Sequence, residues 1–148
     1  MIDIKELCIG NYVFLDDITE YPMFVIGLDS YGGVTLDFEG NEGDCIDTTN
    51  KDICPIKLDE ELFNNLQFSE NQSSGYTVFE KTFPRCQVTL SEISNSKDRD
   101  YYCHIDNLDF ETIGSSDIQY LHQLQNIIKH VSGDELKIDR FVFLKNKE

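Results

Sequence analysis

Basic side chains are scarce in this 148-residue chain: twelve lysines and arginines stand against 28 aspartates and glutamates, a formal charge of −16. A grip on a nucleic-acid backbone needs lysine and arginine for the phosphates, so direct nucleic-acid binding is disfavoured. Tryptophan is absent and proline occurs three times. Long apolar runs are missing too, and none approaches the ~18 residues of a membrane span. The opening Met1-Ile-Asp-Ile-Lys-Glu6 lacks the basic-then-apolar order of a secretion signal. The expectation is a soluble, cytoplasmic protein without a membrane partner. Cys8, Cys45, Cys54, Cys86 and Cys103 are odd in number and include no Cys-x-x-Cys pair. They suit small core positions in a reducing compartment better than a disulfide framework.

Catalytic signatures are equally thin. There is no Gly-x-Ser-x-Gly, no His-Glu-x-x-His and no phosphate-binding glycine loop. Cys103 and His104 are strand neighbours and point to opposite faces. His122 and His130 are two helical turns apart, too far for an i, i+4 zinc pair. Asp37-x-Glu39-x-Asn41 looks like the start of a calcium loop, but Glu42 and Thr48 occupy the positions that need glycine and glutamate. No catalytic residue, cofactor or metal ligand is assigned.

What is present is a set of short strands. Residues 7–15, 23–28, 34–38, 45–46 and 53–56 alternate or run apolar between turns such as Asp29-Ser-Tyr-Gly-Gly33. Five strands within sixty residues predict a small SH3-like β-barrel. Asp59 caps a short helix, Glu60 to Leu66, with Leu62, Phe63 and Leu66 inward. Ser69 to Gly75 is the best linker, which divides the chain into 1–68 and 76–148. Strands follow at 76–83, 86–93, 101–105 and 108–113, then a helix over 117–131, then terminal strands at 135–138 and 141–144. The fold class is α+β: the small barrel, then an antiparallel β-meander capped by one C-terminal amphipathic helix.

That helix is the best-punctuated stretch. Ser116 with Gln119 makes a capping box, and Gly133 suits its end. Ile118, Leu121, Leu124, Ile128 and Val131 form an apolar stripe. Gln125 falls inside the stripe and needs a partner, a sheet edge or loop carbonyl. The outer face carries Gln119, His122, Gln123, Asn126 and His130. An amide-and-imidazole face can bind a partner without desolvating full charges; a plain solvent face is the equal alternative.

Charge is lopsided. Residues 1–61 hold fifteen acidic and three basic side chains; residues 62–148 hold thirteen and nine. Asp16, Asp17 and Glu20 fall in one loop, and Glu39, Glu42, Asp44 and Asp47 in another. If the loops lie together they imitate a phosphate backbone and attract a basic surface. Otherwise they serve solubility.

Three blocks carry a resemblance: Glu6-Leu-x-Ile-Gly-Asn-Tyr-Val13; Pro55-Ile-x-Leu58 followed by Leu66 and Phe68; and Tyr120-x-His-Gln-Leu-Gln-Asn126 with Gly133-x-Glu-Leu136. Their order resembles a family of small uncharacterised bacterial proteins of phages and other mobile elements. Ile127 and Ile128 depart from the aromatics of that pattern, and residues 69–113 show no likeness. The resemblance implies an accessory role in a mobile element.

Three functions compete. The leading one is a non-enzymatic inhibitor, anti-CRISPR-like in mechanism, whose acidic barrel occupies the basic groove of a host nucleic-acid-handling protein. The alternative is an assembly module that contacts partners, or its own copy, through the polar helix face. Last is an enzyme, which a pocket pairing His104 or His122 with a carboxylate would favour.

Overall fold

The computed structural model describes residues 1–16, 18–37, 45–73, 75–93, 100–108 and 113–138. The chain is mostly antiparallel β-structure in two compact units. Among the described residues, one takes Met1–Lys57 with Tyr120–His122, and the other takes Leu58–Gln119 with 123–138.

The first unit opens with a 3-10 turn, Ile4–Glu6, capped by Asp3, whose carboxylate accepts from Lys5 N at 3.0 Å. Five strands follow: β1 (Tyr12–Leu15), β2 (Ile18–Leu28), β3 (Gly33–Asp37), β4 (Cys45–Thr49) and β5 (Ile53–Cys54). The sheet runs β4-β3-β2-β1-β5, so the last strand returns beside the first. Alternation explains the burial. Val34 and Leu36 of β3 point inward and join Val13, Met23, Val25 and Ile53, with Ile2 and Leu7 closing the cluster. The β2–β3 turn is held by Asp29, whose Oδ1 accepts from Tyr31 N and Gly33 N, both at 2.8 Å. A Cβ at Gly33 would collide with that carboxylate, which is why the turn ends on glycine.

The second unit begins with α1 (Glu60–Asn65) and continues through β6 (Ser69–Ser73), β7 (Tyr76–Thr82), β8 (Cys86–Glu92), β9 (Tyr101–Asn107) and β10 (Ile113–Ile118). These strands form an up-and-down sheet, β10-β9-β8-β7-β6. Its buried face carries Phe79, Cys86, Val88, Leu90, Tyr101, Cys103 and Ile105. Phe63 of α1 lies on that face, its ring 4.8 Å from Phe79 and edge-on to Tyr101 at 4.9 Å. α2 (Leu121–Ser132) follows β10. Its far end is tied to this unit: Asn107 Nδ2 donates to Val131 O at 2.8 Å, and Arg85 N to Asp134 Oδ2 at 3.0 Å. Gln125 donates to Leu136 O at 3.2 Å, the loop carbonyl its buried position required.

Several expectations are corrected. The C-terminal helix begins at Leu121, not at 117, because residues 113–118 spend their backbone groups on β9. Ser116 is therefore a strand residue opposite Cys103 and caps nothing. A six-residue ladder with β9 outweighs a local capping signal, which satisfies one or two N–H groups, because it pairs the β9-facing backbone groups along the whole segment. Ser69–Ser73 is no linker but an edge strand, paired along its whole length with β7. Residues 135–138 are not a strand, although Leu136 and Ile138 are buried. The strand expected at 141–144 lies outside the described residues.

The helix α1 behaves as its sequence indicates. Asp59 accepts from Leu62 N at 2.7 Å, and Leu62, Phe63 and Leu66 are buried. Its end is a Schellman motif: Phe68 N bonds Phe63 O at 3.0 Å and Gln67 N bonds Asn64 O at 3.1 Å. Gln67 sits at the left-handed position, φ 64°, that glycine usually fills. Lys81 Nζ caps Leu66 O at 2.6 Å, above the rings of Phe68 and Phe83, and burial holds its ammonium below the ordinary value. Left-handed backbone costs a side chain ~1–2 kcal/mol, while glycine loses ~0.5–1 kcal/mol in extra chain entropy. Gln67→Gly should therefore raise stability by a few tenths to ~1 kcal/mol. Phe63→Ala should lower it by about 3–5 kcal/mol. Urea unfolding followed by circular dichroism measures both.

Candidate interaction surface

Three turns of the first unit meet at residues 50–52. Asn50 N donates to Gly32 O at 2.8 Å, and Asp16 N donates to Asp52 O at 2.9 Å. Asn50 Nδ2 reaches back to Ile2 O at 2.9 Å, which pins the N-terminus to the same turn. The ends of β1, β2 and β4 are thereby held beside one another. Asp16, Lys51 and Asp52 are exposed at this junction, and Asp29 is exposed in the turn that carries Gly32. Tyr31 projects from the Asp29 turn almost entirely in solvent, 98% exposed.

Two of these carboxylates also hold local structure. Asp52 Oδ2 accepts from Thr49 Oγ1 at 3.3 Å, and Asp29 binds its own turn. Asp16 is hydrogen-bonded to the Cys54 thiol; burial raises that thiol's pKa first, and Asp16 adds to the rise. Cys54 is therefore protonated and a weak nucleophile at neutral pH. In the second unit burial lifts Cys103 to about 12, with Cys86 contributing, so Cys103 is inert as well.

The sequence-derived acidic residues distribute unevenly. Asp16 joins the 50–52 turn. Asp47 lies mid-strand on β4, exposed, and accepts from Thr35 Oγ1 at 2.9 Å across the ladder. Asp17, Glu39, Glu42 and Asp44 lie outside the described residues; Glu20, expected in a loop, is on the backbone a β2 residue, because the strand already begins at Ile18. Cys45, where the second acidic loop rejoins the sheet, is at the opposite end of β4 from Thr49 and the Asp52 turn. The first loop, between β1 and β2, is thus bonded to the turn after β4, whereas the second rejoins the sheet at the start of β4. Asp29, Asp52 and Tyr31 were missed. Nothing local in the sequence joins residues 16, 29–32 and 50–52; only the ladder register does.

The polar helix face is largely engaged within the chain. Gln119 precedes α2, and its N–H donates to Gln123 Oε1 at 2.9 Å. Gln123 and Asn126 are half-buried, and Asn126 has partners of its own. His122, expected on the outer face, is 1% exposed. It lies in the first unit, where its Nε2 is 3.7 Å from Glu6 Oε2. The late start of the helix is the reason: Leu121 N donates to Ile56 O at 2.9 Å, which seats the first turn on the 56–57 segment.

Both histidines of interest have a neighbouring carboxylate. On the exposed face of the second sheet His104 Nε2 lies 3.1 Å from Asp106 Oδ1, two residues along β9 and so on the same side. That i, i+2 spacing was legible in the sequence. No group of three or more potential metal ligands occurs among the described residues. Among them, no helix is long and apolar enough to cross a membrane.

Gln123→Ala should remove the acceptor for Gln119 N and lower stability by about 1 kcal/mol. Urea titration reads that loss, and an unchanged midpoint would mean the amide is solvent-satisfied. Comparison with family models, with curated proteins and with solved structures finds no match for this chain.

Proposed function

We propose that the chain is a non-enzymatic binding protein whose acidic first unit occupies a basic surface on a nucleic-acid-handling protein. The observation that carries this reading is that exposed Asp16 and Asp52 are joined backbone to backbone, while the turn that Asp29 holds is bonded to the same 50–52 segment through Gly32 O and Asn50 N. Among the described residues of 1–57, Asp3, Glu6, Asp16, Asp29, Asp37, Asp47 and Asp52 face only Lys5, Lys51 and Lys57. Carboxylates held on fixed turns present negative charge with little ordering cost on binding. They steer a cationic partner towards them. The strand order, with β5 returning beside β1, supports a small SH3-like barrel as the scaffold. A phage or mobile-element setting rests on the three sequence blocks alone.

The helix-face alternative has less support. His122 is buried, and Gln123 spends its acceptor on Gln119. Those groups offer a partner little without local rearrangement.

The test is capture of partners from a bacterial lysate by the wild type and by the double variant Asp16→Lys, Asp52→Lys. The wild type should retain a basic protein, release it as salt rises, and compete with DNA for it. Charge reversal should weaken that binding about tenfold or more. Retention that ignores both salt and the two substitutions would overturn the reading.

A further inference from the structure

His122 occupies the first turn of α2 and is 1% exposed. Neither ring nitrogen has a hydrogen-bond partner. A buried histidine ordinarily spends at least one nitrogen on a carbonyl or carboxylate. Among the described residues, Glu6 and Tyr120 stand beside it. From the 3-10 turn comes Glu6, with its carboxylate 3.7 Å from Nε2 and its side chain 57% exposed. From the segment before the helix comes Tyr120, its ring within 11° of parallel and 5.9 Å away between centroids. Lys57 pairs with Tyr120 through the backbone, and its side chain is exposed. At 3.7 Å, Glu6 is near enough to attract a proton on the imidazole and too far to form a good hydrogen bond with it.

Position in the helix sharpens the conflict. A cation in the first turn opposes the helix dipole. Burial opposes it as well, while Glu6 favours it. We propose that His122 is a proton-operated latch. Neutral, it packs beside Tyr120 and seals the start of α2 within the first unit. Protonated, it leaves that position towards Glu6 and solvent, and the first turn of α2 loosens.

Burial holds the imidazole below its ordinary value of 6.5, with Glu6 pulling the other way. An unfolded or unlatched chain therefore takes up the proton first. The stability that the latch contributes is complete above about pH 6.5 and is lost as pH falls through that value towards the lower folded one.

The test is an NMR pH titration of the wild type and of His122→Gln, with amide exchange at residues 121–124 corrected for its intrinsic pH dependence. In the wild type, protection there should fall about tenfold or more between pH 7 and pH 5, while Leu90 and Ile105 of the sheet stay protected. His122→Gln should abolish that fall. If the variant does not fold, the wild-type His122 ring signals decide. A shift at the ordinary value without loss of helix protection, or a variant that keeps the wild-type profile, would overturn the latch.

Discussion

The hydrogen bond from Leu121 N to Ile56 O settles what α2 presents. A helix leaves its first N–H groups without internal partners, and each needs an acceptor from outside. Ile56 supplies one for Leu121. Gln123 supplies another, two residues upstream, by turning its side-chain oxygen onto Gln119 N. With the start held there, His122 falls on the buried side of the first turn rather than on the outer face. The apolar stripe at steps of three and four is a different one, Leu121, Leu124 and Ile128, all fully buried. One backbone contact thus decides which polar groups of the helix remain for a partner.

The first unit shows the same economy in its turns. Residues 50–52 bond backbone to backbone with Gly32 and Asp16, so segments distant in sequence share one edge of the unit. Exposed aspartates occur in each of these turns because turn residues are where polar side chains tolerate and support chain reversal. Asp29 shows both roles: it ties its own turn through two N–H groups and adds charge to the surface. For the proposed function such a surface needs no pocket to act on a cationic groove. It needs carboxylates whose positions are set before binding, and short hydrogen-bonded turns set them.

Much of the secondary structure was legible in sequence. The strand alternation of β3, β7, β8 and β9 and the Asp59 cap of α1 are local patterns, and their partners lie on regular ladders or within one helical turn. The region from 108 to 120 was not legible in the same way. Ile113–Ile118 carries a Ser-Ser-Asp sequence that suits a helix start, yet β9 offers a full row of backbone partners, and the ladder prevails. Ser69–Ser73 looks like a linker by composition and is a strand for the same reason.

Sequence alone determined the excess of carboxylates in the first sixty residues, the antiparallel β class, the Asp59 cap and the need of Gln125 for a carbonyl. These depend on residue type and short-range period, which any stretch of chain carries with it. Tertiary structure alone decided that the turns of Asp16 and Asp29 are both bonded to residues 50–52, that His122 is buried beside Glu6, and that Gln119 lies outside the helix. Those outcomes depend on which backbone donor meets which acceptor across dozens of residues, and no local pattern encodes that pairing.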